Sequence, residues 1–272
     1  MGTGANEAPG AASADWNWKS VMIRLANAGA LFWAGSRDHV FASEVRGTNE
    51  PPPLPARKHA AFPAHACRSF PIAGSGRPLR TASYGAVIVS GSNLTLGDGD
   101  VAAARDLLER TTLLVLQSEI PDAANVAAAR AVKQAGGRVL INAAPARPLS
   151  ADLQPLIDII VVNAIEAEML GGVPVVETLD GALEAARKLV RTFPEVVATA
   201  GGAGVAYANR DGEETIIAAV KVKVESTHGA GDEFIGVLAA EIASGKTIND
   251  ALKKANMDAA KLVGTPEADR LG

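Results

Sequence analysis

The amino-acid sequence predicts an α/β fold, a doubly wound, mostly parallel sheet flanked by helices, from about residue 84 to the end of the chain. Two observations support this fold class. Short runs of aliphatic residues alternate with longer segments of helical periodicity. The short runs are apolar throughout rather than at every second residue, which is typical of strands that are buried on both faces.

The predicted elements follow one another in a regular order. After a short β-rich run, YGAVIVSG, the predicted strands are TLLVLQSE, RVLINAAP, IIVVNA and EVVATAGG. The predicted helices are DGDVAAARDLLERT, with Asp98 and Asp100 as candidate N-caps, IPDAANVAAARAVKQAGG, the short SADLQPLID, AIEAEMLGG and TLDGALEAARKLVRTF. A hairpin that turns at Asp211-Gly212 and two helices, residues 231–244 and 247–263, complete the chain.

Residues 1–83 differ from the rest and are predicted to form a divergent N-terminal segment, with residues 84–272 as the α/β domain. The segment contains all three tryptophans, the single cysteine and the run PPPLP, and it has no helical or strand period of useful length. This composition is compatible with irregular or disordered chain. Residues 20–34 fit either one helix or a pair of strands, and the sequence does not decide between them.

Composition, net charge and the length of apolar runs indicate which classes of protein the chain can belong to. The chain has 272 residues, of which 48% are hydrophobic and 21% charged, as in a globular protein. Its net charge of -4 argues against nucleic acid as a partner. No apolar run approaches the roughly 20 residues that span a bilayer, and the N-terminus lacks the basic and apolar regions of a signal peptide. We therefore expect a cytoplasmic protein without a membrane partner.

The segment STHGAGDEF places Gly229, Ala230, Gly231 and Asp232 at the start of an apolar helix. Ligands of doubly wound sheets lie beyond the carboxyl ends of the strands, and a glycine turn at a helix start brings backbone amides close to an anion. An aspartate in that place suits a general base that takes a proton from an alcohol during phosphoryl transfer. The alternative is that Asp232 caps the helix.

Several other motifs occur in a fixed order: VIVSGSN, LLVLQSEIP, NAAPARPL, NAIEAE, TAGGAG, and the final helix ALKKANMDAAKLVGTPEA. Together with STHGAGDEF they resemble the ribokinase-like (PfkB-type) carbohydrate kinases, whose second signature is D-T-x-G-A-G-D-x-F. The resemblance covers about residues 84–268. At the start of the chain, MGTGANEA resembles the sugar-binding loop GGKGANQA of the same family.

The resemblance implies roles on the sugar side of a kinase site. Asp232 would activate the sugar hydroxyl, and the amides of Gly229, Ala230 and Gly231 would form an anion hole. Glu119 would hydrogen-bond the sugar, because a carboxylate accepts from two neighbouring hydroxyls; the alternative is a surface residue at a strand end. The matching residues of the sugar-binding loop are Gly2, Gly4 and Asn6.

The resemblance also implies a nucleotide side. Asn163 and Glu166 would organise phosphate and Mg²⁺, with Glu166 acting through water because Mg²⁺ keeps most of its hydration shell. Asn256 would lie near the adenine. The loop along the nucleotide would comprise Thr199, Ala200, Gly201, Gly202 and Gly204. The alternatives are a solvated helix face for Glu166 and a plain strand-to-hairpin turn for the loop.

Some positions depart from the family pattern. Ala164 follows the motif asparagine, where glutamate is usual. Ser226 stands where the family has an aspartate that is associated with a monovalent cation, and His228 stands where the family has a small residue. A K⁺ site at Ser226 and His228 would therefore lack the family's carboxylate ligand. Glu233 places a second carboxylate beside Asp232, and its like charge is expected either to raise the pKa of Asp232 or to repel phosphate. The family's first strand, its sugar-binding aspartate and its lid strands have no recognisable counterpart.

These observations predict an ATP-dependent sugar kinase, using Mg²⁺, that transfers the γ-phosphoryl group to a primary hydroxyl of a pentose-like sugar. An alternative with the same fold is a nucleotide-binding remnant with weak or absent turnover, because the sugar side has lost its aspartate. A Rossmann-type cofactor-binding protein fits less well, since no G-x-G-x-x-G opens the first helix. Family members often dimerise through lid strands, which leaves a homodimer open.

Overall fold

The computed structural model of the chain describes residues 30–36, 39–41, 91–172, 174, 177–266 and 269, and before residue 93 it describes the backbone. The central sheet has eight strands in the order β2-β1-β3-β4-β5-β6-β7-β8. Strand β1 and strands β3 to β6 are parallel, whereas β2, β7 and β8 run antiparallel to their neighbours. The strands are β1 Ala30–Ser36, β2 His39–Phe41, β3 Leu113–Gln117, β4 Arg138–Asn142, β5 Ile159–Asn163, β6 Glu195–Thr199, β7 Gly204–Asn209 and β8 Glu214–Ala218.

Helices connect and cover the strands. The α-helices are α1 Asp98–Ala103, α2 Arg105–Leu108, α3 Asp122–Gln134, α4 Ala164–Gly171, α5 Leu179–Leu189, α6 Ala230–Ala243 and α7 Ile248–Val263. Short 3-10 helices occupy Gly91–Thr95, Gln154–Leu156 and Gly201–Ala203. The mostly parallel, helix-flanked architecture predicted from the sequence is therefore confirmed. No helix among these described segments is long and apolar enough to cross a membrane.

Both faces of the sheet are buried, and successive residues of each central strand point to opposite faces. One face packs against α3 and α5, and its strand residues include Leu114, Leu116, Val139, Ile141, Ile160 and Val162. The other face packs against α6 and α7, and its strand residues include Leu113, Val115, Leu140, Ile159 and Val161. This two-sided burial explains why the strands are apolar throughout.

Three local predictions need correction. The segment DGDVAAARDLLERT forms two short helices, α1 and α2, that are separated at Ala104, rather than one. The N-cap of α1 is Gly97 rather than an aspartate, and Asp100 instead accepts the amide of Gly97 at 3.1 Å from the third helical position. The segment SADLQPLID forms a single 3-10 turn, Gln154–Leu156, because Pro155 has no amide hydrogen to continue a helix.

The N-terminal residues that the structure describes belong to the sheet. Strand β1 pairs in parallel with β3, and β2 pairs antiparallel with β1. For the part of residues 20–34 that is described, the open choice between helix and strands is decided in favour of a strand. The sugar-loop residues Gly2, Gly4 and Asn6, the run YGAVIVSG and the proposed boundary at residues 83 and 84 lie outside the described residues.

Candidate active site

Three of the sequence-predicted site residues lie at the carboxyl edge of the parallel strands. Glu119 follows β3, Asn163 is the last residue of β5, and Thr199 is the last residue of β6. Asn163 and Thr199 are direct neighbours in the register of the two strands. This is the edge at which doubly wound folds bind ligands.

Glu119 is half-buried and held by a neighbouring amide. Asn93 lies in the 3-10 turn Gly91–Thr95, and its Nδ2 donates a hydrogen bond to Oε2 of Glu119 at 3.3 Å. The pKa of Glu119 is raised, first by removal from water and then by the negative charge of Asp232, while the bond from Asn93 lowers it. Glu119 is therefore an inward-facing carboxylate rather than a free surface residue.

Asp232 is the third residue of α6 and keeps contact with solvent. The surrounding protein nevertheless removes part of its hydration, which raises its pKa, and the charge of His228 opposes the rise. We expected repulsion from Glu233 to cause such a shift, but the cause is desolvation. Glu233 itself is buried, with 3% of its surface exposed.

The start of α6 is built by a glycine in the left-handed region. Gly229, with φ of 76°, is the N-cap residue, so the alternative that Asp232 caps the helix is wrong. The amide of Ala230 donates to the carbonyl of Thr227 at 3.3 Å, and the amide of Glu233 makes the first helical bond, to Gly229, at 2.9 Å. The amides of Gly231 and Asp232 lie in the first turn, where a helix offers no carbonyl to its own donors. A helix start of this kind binds anions.

Asn163 and Glu166 form a reciprocal cap at the start of α4. Oδ1 of Asn163 accepts the amides of Ile165 at 2.9 Å and Glu166 at 3.0 Å. In return, the carboxylate of Glu166 accepts the amide of Asn163 at 2.7 Å and its Nδ2 at 2.8 Å. Glu166 is 5% exposed, and burial raises its pKa while the bonds from Asn163 lower it. The alternative of a solvated helix face is wrong for Glu166.

A magnesium ion fits this site only through its water shell. Among the described segments, no three His, Cys, Asp or Glu side chains come together to enclose a metal. Both oxygens of Glu166 already accept from Asn163, and each carboxylate oxygen has a second lone pair that a coordinated water can donate to. The donor set therefore suits an outer-shell contact to Mg²⁺, which binds few protein ligands directly.

The glycine-rich loop combines a tight turn with an open backbone. It leaves β6, forms the 3-10 turn Gly201–Ala203 and enters β7. Gly204, with φ of 130°, has no room for a side chain, because a Cβ would collide with the carbonyl of Ile217 and the amide of Ala219. Around Gly201 and Gly202, in contrast, there is open space. The loop is thus a strand-to-hairpin turn whose outer side is accessible to a ligand.

The remaining predicted residues lie near the end of the chain. Asn256 of α7 is 9% exposed, and its Nδ2 donates to the carbonyl of Ala218, the last residue of β8, at 2.9 Å. The hydroxyl of Ser226 accepts the amide of His228 at 3.2 Å. The amides of residues 225 and 226 donate to the carbonyl of Val263 at 2.9 and 3.3 Å, which ties the loop before α6 to the last turn of α7.

Sequence reasoning missed two residues of this site. Asn93 ends the motif VIVSGSN and contacts Glu119. Arg147 follows the motif NAAPA and donates to the carbonyls of Ser118 at 2.8 Å and Ile120 at 2.9 Å. Both residues belong to motifs on which the resemblance rests, VIVSGSN and NAAPARPL, and this was the available signal.

The fold and this edge define the class of protein. The profile of the pfkB family carbohydrate kinases matches residues 86–270, so the chain belongs to that family. It is 35% identical over 176 residues to a deoxyribokinase of Salmonella typhi and 34% identical over 181 residues to a ribokinase of Mus musculus.

These matches cover 64% of the chain in both cases, 57% of the Salmonella protein and 55% of the mouse protein. The chain thus spans about half the length of the curated relatives that it matches. A solved structure of Arabidopsis thaliana ribokinase, complexed with ribose and ATP, superimposes with a TM-score of 0.59 and 28% identity. That match covers 66% of this chain and 58% of the Arabidopsis chain.

Proposed function

We propose that the chain is an ATP-dependent sugar kinase that transfers the γ-phosphoryl group to a primary hydroxyl of a pentose-like sugar. The observation that carries this proposal is the placing of Asp232 in the first turn of α6, within electrostatic range of Glu119. In this proposal Asp232 acts beside anion-binding amides, and Glu119 contacts the acceptor alcohol.

In the proposed reaction Asp232 is the general base. Its carboxylate takes the proton of the acceptor hydroxyl as the oxygen of that hydroxyl bonds to the γ-phosphorus. The bond from the γ-phosphorus to the oxygen bridging it to the β-phosphate breaks, and ADP leaves. Of the predicted anion hole of Gly229, Ala230 and Gly231, the amide of Ala230 is already bonded to the carbonyl of Thr227. The proposal therefore uses the first-turn amides of Gly231 and Asp232 to stabilise the charge on the moving phosphoryl group, since preorganised donors act most strongly where charge develops.

Glu119 is the proposed contact to the sugar. It is fixed by Asn93 and partly withdrawn from water, so its oxygens are available to hydroxyl donors of the acceptor. A named relative, the Arabidopsis ribokinase, was solved with ribose and ATP. We therefore place a pentose-like alcohol between Glu119 and Asp232.

The proposed nucleotide site follows from the adjacent strand ends. The open outer side of Gly201 and Gly202 would lie along the ATP molecule, Asn163 at its phosphates and Asn256 towards its adenine. Glu166 would hold Mg²⁺ through water, and the ion would supply positive charge to offset that of the phosphates. K⁺ is left out of the proposal, because Ser226 offers a neutral hydroxyl.

A second candidate with the same fold is the nucleotide-binding remnant with little turnover that the sequence left open. Loss of orientation at the acceptor reduces rate far more than it reduces nucleotide affinity.

A coupled assay of ADP release distinguishes the candidates. Mg²⁺-ATP is offered with ribose, deoxyribose, fructose and adenosine, and the melting temperature is measured with and without ATP. The kinase releases ADP with a pentose and is stabilised by ATP. The remnant is stabilised by ATP and releases no ADP with any acceptor. A chain that shows neither effect contradicts both candidates.

A further inference from the structure

The loop that carries Glu119 is held at its main chain by one arginine. The guanidinium of Arg147 donates through Nε to the carbonyl of Ser118 and through Nη2 to the carbonyl of Ile120, the residues on either side of Glu119. Its Nη2 also pairs with Oδ1 of Asp122 at 2.7 Å. Only arginine has the planar fork of donors that reaches both carbonyls at once.

The carboxylate of Glu119 is held separately by a buried amide. Asn93 is 7% exposed and donates from Nδ2 to Oε2 of Glu119 at 3.3 Å. A carboxylate only accepts hydrogen bonds, so this contact fixes which end of the Asn93 amide faces it. The main chain and the side chain of Glu119 therefore have independent supports.

We propose that Arg147 and Asn93 are positioning residues for Glu119, Arg147 by fixing the main chain on both of its sides and Asn93 by orienting its carboxylate. The proposal rests on the proposed function in that it concerns the acceptor side of the kinase site. A positioned carboxylate matters there because small errors in the placement of an acceptor lower the rate steeply.

The two supports have opposite effects on the titration of Glu119. The bond from Asn93 favours the charged form, so Asn93→Leu, which keeps the size of the side chain and removes its donor, raises the pKa of Glu119. Arg147→Lys keeps the positive charge beside Asp122 and loses the fork. The loop then exposes the carboxylate to water, and the pKa of Glu119 falls towards its ordinary value.

The experiment is a pH titration of the full chain labelled with ¹³C at the glutamate carboxyl carbons, with the Glu119 signal assigned by its loss in Glu119→Gln. We expect shifts of about half a pH unit or more, upwards in Asn93→Leu and downwards in Arg147→Lys. Asn93→Ala repeats the first change without the added apolar bulk. The control is Arg130→Lys, an exposed arginine of α3 paired with Asp152 at 3.5 Å, in which the Glu119 signal titrates as in the parent chain.

An unchanged titration of Glu119 in either substitution overturns the proposal for that residue. The kinetic readout is separate. Arg147→Lys is expected to raise the KM for the acceptor about fivefold or more and to leave the KM for ATP within about twofold. A parallel rise of both constants shows a merely structural role and overturns the proposal for Arg147. Expected shifts in a chain without any turnover refute the proposed kinase function and leave the positioning of Glu119 supported.

Discussion

The carboxylates of Glu119 and Asp232 interact across the ligand edge of the sheet: the negative charge of Asp232 contributes to the raised pKa of Glu119. Repulsion of this kind weakens with distance and with hydration. The end of β3 and the first turn of α6 are thus brought into one site, although they lie far apart in the sequence. In the proposed function, the acceptor alcohol donates a hydrogen bond to Glu119 and loses a proton to Asp232.

Removing the proposed base should separate turnover from nucleotide binding. Asp232→Asn is expected to lower kcat by about 10²–10⁴-fold, the usual contribution of a general base, and to leave the affinity for ATP almost unchanged. The measurements are ADP release and calorimetric titration with ATP. Glu241→Gln, near the other end of α6, is the control and should keep its rate. Turnover retained by Asp232→Asn would remove Asp232 from the role of base.

The pH dependence of kcat/KM should report the raised pKa of Asp232. A base acts in its deprotonated form, so activity falls as the pH drops through that pKa, which lies above the ordinary value of 3.8. The charge of His228 lowers the pKa of Asp232, and His228→Gln should therefore move the acidic limb to higher pH. If the acidic limb of the kcat/KM profile stays in place or moves to lower pH in His228→Gln, the electrostatic role of His228 is contradicted.

Asp232→Asn should also stabilise the fold at neutral pH. Because the pKa of Asp232 is higher in the folded than in the unfolded chain, the folded chain binds more protons between these two values, and stability falls as the pH rises through that window. Asparagine does not ionise, so it does not carry the free-energy cost of an ionised carboxylate in this partly desolvated position. The melting temperature of the variant should exceed that of the parent near pH 7, and the gain should vanish below the ordinary pKa of an aspartate, about 3.9. An equal gain at both pH values would point to another cause.

The reciprocal cap of α4 should be a substantial part of the stability of that helix. Glu166→Ala removes the acceptor of the Asn163 amide and so one half of the cap, at a cost of about 0.5–2 kcal/mol in the free energy of unfolding. Glu168→Ala changes an exposed glutamate of the same helix and should cost less than about 0.5 kcal/mol. Urea unfolding of the two variants provides the comparison. Equal midpoints would show that the cap contributes little.

Two glycines of one loop should respond differently to an added methyl group. Gly204→Ala meets main-chain atoms of the next hairpin strand at a positive φ and should cost about 2–5 kcal/mol of stability. Gly202→Ala meets open space, so its stability should stay close to that of the parent. If ATP lies along this loop, Gly202→Ala weakens ATP binding without lowering the melting temperature in the absence of ligand. Similar unfolding of both variants would refute the tight packing of Gly204.

The sequence predicted the fold well where local pattern and burial agree. Strands β3 to β6 are apolar on both faces, and helices α3 and α4 are followed by Gly136 and Gly172, so the order of these elements could be inferred without coordinates. Strand β1 was harder to predict, because it is stabilised by pairing with β3, which is distant in the sequence. The sequence around β1 shows no strand periodicity of its own. Propensity around residues 20–34 was compatible with either secondary structure.

The site could be predicted only in part, because some of its contacts also depend on partners that are distant in the sequence. Motif spacing indicated Asp232, Glu119 and Asn163, which carry recognisable chemistry at strand or helix ends. Arg147 acts through the carbonyl groups of other residues, and carbonyl groups are the same at every position of a sequence. The burial of Glu166 was also missed, because its acceptor role is satisfied by the backbone and side chain of one neighbour.

The amides of residues 225 and 226 donate hydrogen bonds to the carbonyl of Val263, so the last turn of α7 supports the loop before α6. Deleting that turn would remove no residue assigned to phosphate, sugar or metal. It would nevertheless release the loop that leads to Asp232, so the proposed site would be disturbed by a change in the last turn of α7.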